Sequence, residues 1–211
     1  EWWRHRTGIL TSNFAEAGAF LRSSPEEALP DLQLHFVVAK LLDHGRKTVW
    51  GHGYSCHVCV LRPRSRGTVR LRSADPLTLP AVDPNFLADA DDLQRTVRGV
   101  QIVRRILAQP ALARHGAREL PASAAAQTSE QIADWVRQYA DTIYHPVGTC
   151  RMGPGPQDVV DHQLRVHGVQ GLRVVDASIF PRITSGNTNA PCIMLGEKAA
   201  HMVLAEAQRW A

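Results

Sequence analysis

The sequence predicts an α+β fold, an antiparallel sheet flanked by helices, and three observations lead there. Leu32, Leu34, Phe36 and Val38 alternate with more polar neighbours, as do the residues of Tyr54–Leu61 and Thr68–Leu71, the period-2 pattern of half-buried strands. The links between these three runs are short, and the Arg66-Gly67 pair marks a turn, which favours antiparallel pairing. Leu93, Val97, Val100, Val103 and Leu107 then recur at helical spacing.

Each element can be placed in order. The first thirty residues read as irregular, broken by Gly8, Gly18 and the Ser23-Ser24-Pro25 run. Residues 43–53 read as a turn-rich connection. The first long helix should run from about Asp89 to Ala108, closed by Pro110. Alanine-rich 121–127 reads as a link. A second helix starts at a Thr128 or Ser129 cap and turns Ile132, Trp135, Val136 and Tyr139 to one stripe. Gly171 to Asp176 reads as a short β-branched strand with an acidic end. Asn189-Ala190-Pro191 reads as a cap followed by proline at the first helical position, opening a helix to about Ala207.

Composition excludes several function classes. The 211 residues are 44% hydrophobic and 21% charged, ordinary for a globular protein with a real core. No apolar run reaches the ~18 residues of a spanning helix, so no transmembrane segment is expected. The chain opens Glu1-Trp2-Trp3-Arg4, neither an initiator methionine nor a signal peptide, and reads as starting in mid-protein. The net charge of +4 rests mostly on arginine, with lysine only at 40, 47 and 198. The densest basic stretch, Arg62 to Arg72, holds no aromatic residue to stack on a base, so it reads as a solvated strand face rather than a nucleic-acid site.

Four cysteines stand at 56, 59, 150 and 192. Cys56-His57-Val58-Cys59 has the inner spacing of a zinc knuckle, but no second ligand pair follows. On a strand, residues three apart face opposite sides, so no metal site is expected and structural thiols are the reading. Nothing here requires an oxidising compartment.

Two segments carry the functional reading. The first is Tyr144-His145-Pro146-Val147-Gly148-Thr149-Cys150-Arg151-Met152-Gly153. The second runs from Val159-Val160-Asp161 through Arg165-Val166-His167-Gly168 and Gly171–Ser178 to Ser185-Gly186-Asn187-Thr188-Asn189-Ala190-Pro191 and Gly196-Glu197-Lys198. Together they resemble the C-terminal signature of the glucose–methanol–choline (GMC) oxidoreductases. Upstream, Arg62-Pro63, Ser65-Arg66-Gly67, Leu71-Arg72-Ser73, Asp75-Pro76 and Val82–Leu87 resemble that family's substrate-domain strand and turn, so the likeness covers almost the whole chain. Asparagine at 187 resembles the choline-dehydrogenase-like branch; the glucose-oxidase branch carries histidine there.

The resemblance implies a substrate-binding domain over 1–143 and a catalytic signature over 144–211, whose final strand and helix return to an FAD-binding α/β domain. It implies FAD as cofactor, a small-molecule alcohol as substrate, and His145 and Asn187 as the catalytic pair. Oxidising an alcohol needs an acceptor for the hydroxyl proton, a role suited to imidazole. Asn187 can orient the alcohol and stabilise developing alkoxide charge. Asp176 and Ala177 match a cofactor-contacting position, and Asn189, Ala190 and Pro191 would lie at a helix N-terminus that favours electron density in a reduced flavin. Read without the family, His145 could be a buried structural histidine, Asn187 a turn residue and Asp176 a strand end. Ser178 with His145 and Asp176 could suggest a hydrolase, but no G-x-S-x-G elbow surrounds Ser178.

The G-x-G-x-x-G turn that receives the FAD pyrophosphate is missing; Gly51-His52-Gly53 lacks the third glycine and leads into a strand. The expected partner is therefore an absent N-terminal FAD-binding half, and this chain alone should perform no chemistry. An inactive fragment or a non-catalytic binding module is the alternative. The location expected is cytoplasmic or peripherally membrane-associated.

Overall fold

The computed structural model describes residues 1–8, 11–43, 46–47 and 49–208. It is α+β, with small antiparallel sheets and helices, and divides into two compact units. One comprises Glu1–Val60 with Asp89–Ala140, the other Leu61–Ala88 with Asp141–Ala211.

After a single turn of helix, α1 (Trp2–His5), the first unit forms a sheet in the order β1 (Ala15–Leu21), β2 (Leu32–Val37), β3 (Ser55–Val60), antiparallel throughout. β1 corrects the expectation of an irregular N-terminal stretch. Its alanines and Gly18 have weak strand preference, and the strand exists because β2 supplies the ladder, Gly18 opposite His35 and Leu21 opposite Leu32. Gly18 sits so close that a Cβ there would lie 2.7 Å from the Leu34 carbonyl oxygen. Residues 44, 45 and 48 of the expected turn-rich connection lie outside the described residues.

Helix α2 (Ala90–Leu107) begins at Asp89, whose carboxylate accepts from the Asp91 N–H, and packs on β3. Gly99 permits the approach: a Cβ there would meet Val58 Cγ2 at 2.7 Å. Pro110 and Pro121 each open a single-turn helix, α3 (Pro110–Ala113) and α4 (Pro121–Ala124), the latter where a plain link was expected. Helix α5 (Ser129–Tyr139) packs against α2 and buries Ile132, Ala133 and Val136; Tyr139, expected on that stripe, is exposed. Its N-terminus is a full capping box: Thr128 Oγ1 accepts from Gln131 N–H, and Gln131 Oε1 accepts from Thr128 N–H. Fully buried Asp31 accepts from the Ser23 N–H and hydroxyl at 2.6 and 2.7 Å, and Arg95 bridges Asp31, Glu27 and Asp91.

In the second unit, β4 (Thr68–Arg70) pairs with β5 (Ala81–Asp83), not with β3 as expected. The Leu61–Arg66 segment leaves the first sheet, and Gly67 lies so close to the Asp83 carbonyl that no side chain would fit. Helix α6 (Asn189–Ala207) packs Leu195 and Ala199 into a core with Val160, Leu164, Ile179 and Phe180. The predicted strand at 171–175 does not form. The segment is tied to residues 164–166 by the Arg165–Arg173 bridge and the Val174 N–H to Leu164 carbonyl bond. Chain direction then turns at a short 3-10 helix, Ala177–Ile179. Extended β-branched residues make a strand only where a ladder runs along them, and here pairing stops after three residues.

Candidate active site

His145 rides on a loop held at both ends. Tyr144 enters with a left-handed φ of 66°, steadied by its N–H to Thr142 Oγ1 at 2.9 Å. Gly148 leaves with φ 89°, where a side chain would be strained and would press the Phe180 carbonyl. Beyond it, the Cys150 and Met152 N–H groups donate to the Ser178 and Ile179 carbonyls at 3.0 and 2.8 Å. Val147 packs on the core cluster. The imidazole is therefore half-buried on a fixed base.

The facing loop, 181–188, carries Asn187. Ser185 takes φ 62°, and the Arg62 guanidinium donates to its hydroxyl at 3.0 Å. Asn187 itself is exposed, while Thr188 is buried and accepts the Cys192 N–H at its carbonyl, starting α6. The helix thus begins one residue earlier than expected, with Thr188 as cap and Pro191 third in the helix rather than first.

The loops meet at the histidine. Asn187 Nδ2 lies 2.7 Å from His145 Nε2, and Thr188 Oγ1 lies 2.9 Å from His145 Nδ1. The two contacts fit a ring whose bare Nε2 accepts the Asn187 amide and whose protonated Nδ1 donates to Thr188 Oγ1. The Thr188 backbone N–H also points at Nδ1, but at 3.5 Å it is the weaker contact. The result is a half-buried imidazole with Nε2 beside an exposed carboxamide. Such a pair can accept a proton and hold a hydroxyl in place.

The remaining expected residues lie in the same unit as this pair. Asn189 and Ala190 form the exposed first turn of α6, with half-buried Pro191 after them. Ala177 packs on the same core cluster as Val147 and Cys192. Asp176 is exposed and caps the 3-10 helix, accepting the Ser178 N–H at 2.7 Å. Ser178 Oγ is buried and bonds to nothing among the described residues. The sequence reading gave no role to Thr188, Arg62 or Ser185. For Thr188 a local signal existed, a capping residue three positions before a proline; Arg62 and Ser185 are 123 residues apart and no local signal joins them.

Elsewhere, Cys56 and Cys59 face opposite sides of β3, opposite Phe36 and Gln33. Burial pushes both thiols above their ordinary range, away from thiolate chemistry. Among the described residues no three His, Cys, Asp or Glu side chains gather as a metal site, and no helix is long and apolar enough to cross a membrane.

Known proteins resemble this chain along most of its length. The alcohol dehydrogenase [acceptor] of Pseudomonas putida is 49% identical over 199 residues, covering 94% of this chain and 36% of that protein. An oxygen-dependent choline dehydrogenase of Escherichia coli O139:H28 is 45% identical over 203 residues, covering 96% of this chain and 36% of its own length. This chain thus spans about 36% of the length of these relatives. Among solved structures, pyridoxine 4-oxidase from Mesorbium loti superposes with a TM-score of 0.76 at 29% identity, over 89% of this chain and 37% of that one. A mutant formate oxidase of Aspergillus oryzae RIB40, studied for FAD modification, gives 0.83 at 25% identity over 100% and 41%. The family model described as GMC oxidoreductase matches residues 63–196, more than half the chain, and the protein belongs to that family.

Proposed function

We propose that the chain is the C-terminal part of an FAD-dependent enzyme that oxidises a CH–OH substrate to an aldehyde or ketone. The observation that carries this reading is the His145 Nε2–Asn187 Nδ2 contact of 2.7 Å, with Nδ1 engaged by Thr188. Residues 1–143 would serve substrate binding and 144–211 the catalytic signature, a functional rather than a spatial division. Asn187 fits the choline-dehydrogenase-like branch, and the relatives named alcohol and choline dehydrogenase support an alcohol as substrate.

The residues present suit a flavin. Thr188 places no side-chain cap on α6, so the amide edge at Asn189 and Ala190, exposed beside Asn187, is open to an electron-rich ring. Asp176, Ala177, Asn189, Ala190 and Pro191 are the residues proposed to hold it. When bound, FAD supplies the acceptor for the hydride that leaves the substrate carbon. His145 Nε2 takes the hydroxyl proton, the hydroxyl replacing the Asn187 amide as its partner. Asn187, released from the ring, donates its N–H to the oxygen on which negative charge develops.

The partner is the remainder of the polypeptide, carrying the nucleotide-binding half. Helix α6 supports this: Leu195 and Ala199 pack inward, yet Ile193 and Leu204 are 61% and 60% exposed, and Met194 and Val203 are exposed with them. Exposed apolar side chains gathered on one helix mark a surface that further protein covers. Flavin absorbance measured on this chain, expressed with and without its upstream coding sequence, tests the reading. Stoichiometric flavin only in the longer protein is the expected result. A longer protein that binds none would leave a non-catalytic module, and flavin bound stoichiometrically by residues 1–211 alone would refute the divided site.

A further inference from the structure

We propose that Thr188 is a positioning residue that holds the His145 proton on Nδ1 and so keeps Nε2 bare toward Asn187 and the substrate. The inference rests on the proposed function only for its kinetic consequence, since the ring geometry stands on its own.

Thr188 occupies a helix N-cap, where a threonine hydroxyl ordinarily accepts the N–H of the second or third helical residue. Here the third residue is Pro191, which has no N–H to give. The backbone of Thr188 also departs from capping geometry: φ −86°, ψ −5°, in place of the extended −81°, 160° of Thr128. No side-chain cap forms, and the freed hydroxyl lies 2.9 Å from His145 Nδ1. Thr188 is 8% exposed, so water does not easily take over the role.

Two groups of Thr188 compete for Nδ1, and the hydroxyl is the nearer. Both the Thr188 hydroxyl and its backbone N–H face Nδ1, at 2.9 and 3.5 Å. The hydroxyl can accept from a protonated Nδ1; the N–H can only donate, and so favours the opposite tautomer with the proton on Nε2. That second tautomer cannot take a proton from an alcohol. Removing the hydroxyl leaves the backbone N–H as the nearer neighbour on that side and moves the proton to the wrong nitrogen.

The test uses the full-length flavoprotein carrying this chain, labelled with 15N in its histidine rings, with His145→Ala to assign the resonance. In the unsubstituted protein His145 should show a protonated Nδ1 and a bare Nε2; a protonated Nε2 overturns the proposal without any variant. Thr188→Val should shift the ring toward protonated Nε2 and slow flavin reduction by the alcohol about tenfold, the scale of one buried hydrogen bond. KM and bound FAD should change little. Thr188→Ser should restore both the ring signal and the rate. A valine variant with the original ring signal, or a serine variant that behaves like valine, refutes the proposal. If His145→Ala leaves flavin reduction unchanged, the proposed function fails instead, while the 15N signal still decides the role of Thr188.

Discussion

Two threonines stand at the starts of two helices and do different work. Thr128 closes α5 with a reciprocal capping box, its hydroxyl on Gln131 N–H and its own N–H on the Gln131 side chain. Thr188 starts α6 without a side-chain cap and turns its hydroxyl to His145. The same contrast runs through the two units. In the first, buried Asp31 is satisfied by Ser23 and Arg95, with every bond directed at closing the fold. In the second, polar groups around His145 bond to one another at a surface that includes the exposed Asn187. On the proposed reading, a polar side chain that completes the fold is structural, and one diverted from its own element serves the site.

Substitutions can break this contrast, and the largest effect is expected in the first unit. Arg95→Leu removes the cation that bridges Asp31, which is 0% exposed, and should cost about 3–5 kcal/mol in urea unfolding. Thr128→Ala should cost about 1 kcal/mol and leave flavin reduction alone. Thr188→Val should do the reverse, losing less than about 1 kcal/mol while changing the chemistry. Equal stability losses with equal rates would erase the distinction.

The smallest effect is pH-dependent. The Arg173 guanidinium bonded to Glu206 holds its carboxyl below the ordinary range, against the opposing pull of burial and with help from Arg165. A depressed folded value means the stabilisation is present above about pH 4.5 and is lost as pH falls through the lowered value. Glu206→Gln should therefore melt below the unsubstituted protein at pH 7, and the gap should close in acid. A gap that persists at pH 3 would place the effect in packing rather than charge.

Much of this was legible along the chain, and the misses have physical causes. Strands β2 and β3 and helices α2 and α5 follow from their own periodicity and α6 from its cap and proline, and His145 and Asn187, singled out by their motifs, lie 2.7 Å apart. β1 was hidden because Ala15, Ala17, Gly18 and Ala19 have little strand preference and are made a strand by β2. Residues 171–175 failed the opposite way, with strong preference but no continuous ladder. The Thr188 contact with His145 was hidden because the cap was expected one residue later, at Asn189. The Arg62–Ser185 bond depends on chain reversal that no local pattern encodes.

The central claim is that His145 accepts the substrate proton beside Asn187. The most direct measurement is the rate of flavin reduction by an alcohol in the full-length enzyme carrying His145→Ala, with FAD content checked. The account predicts retained FAD and a reduction rate lower by about 100- to 10,000-fold, the range of a lost general base. Reduction at the unsubstituted rate would contradict it.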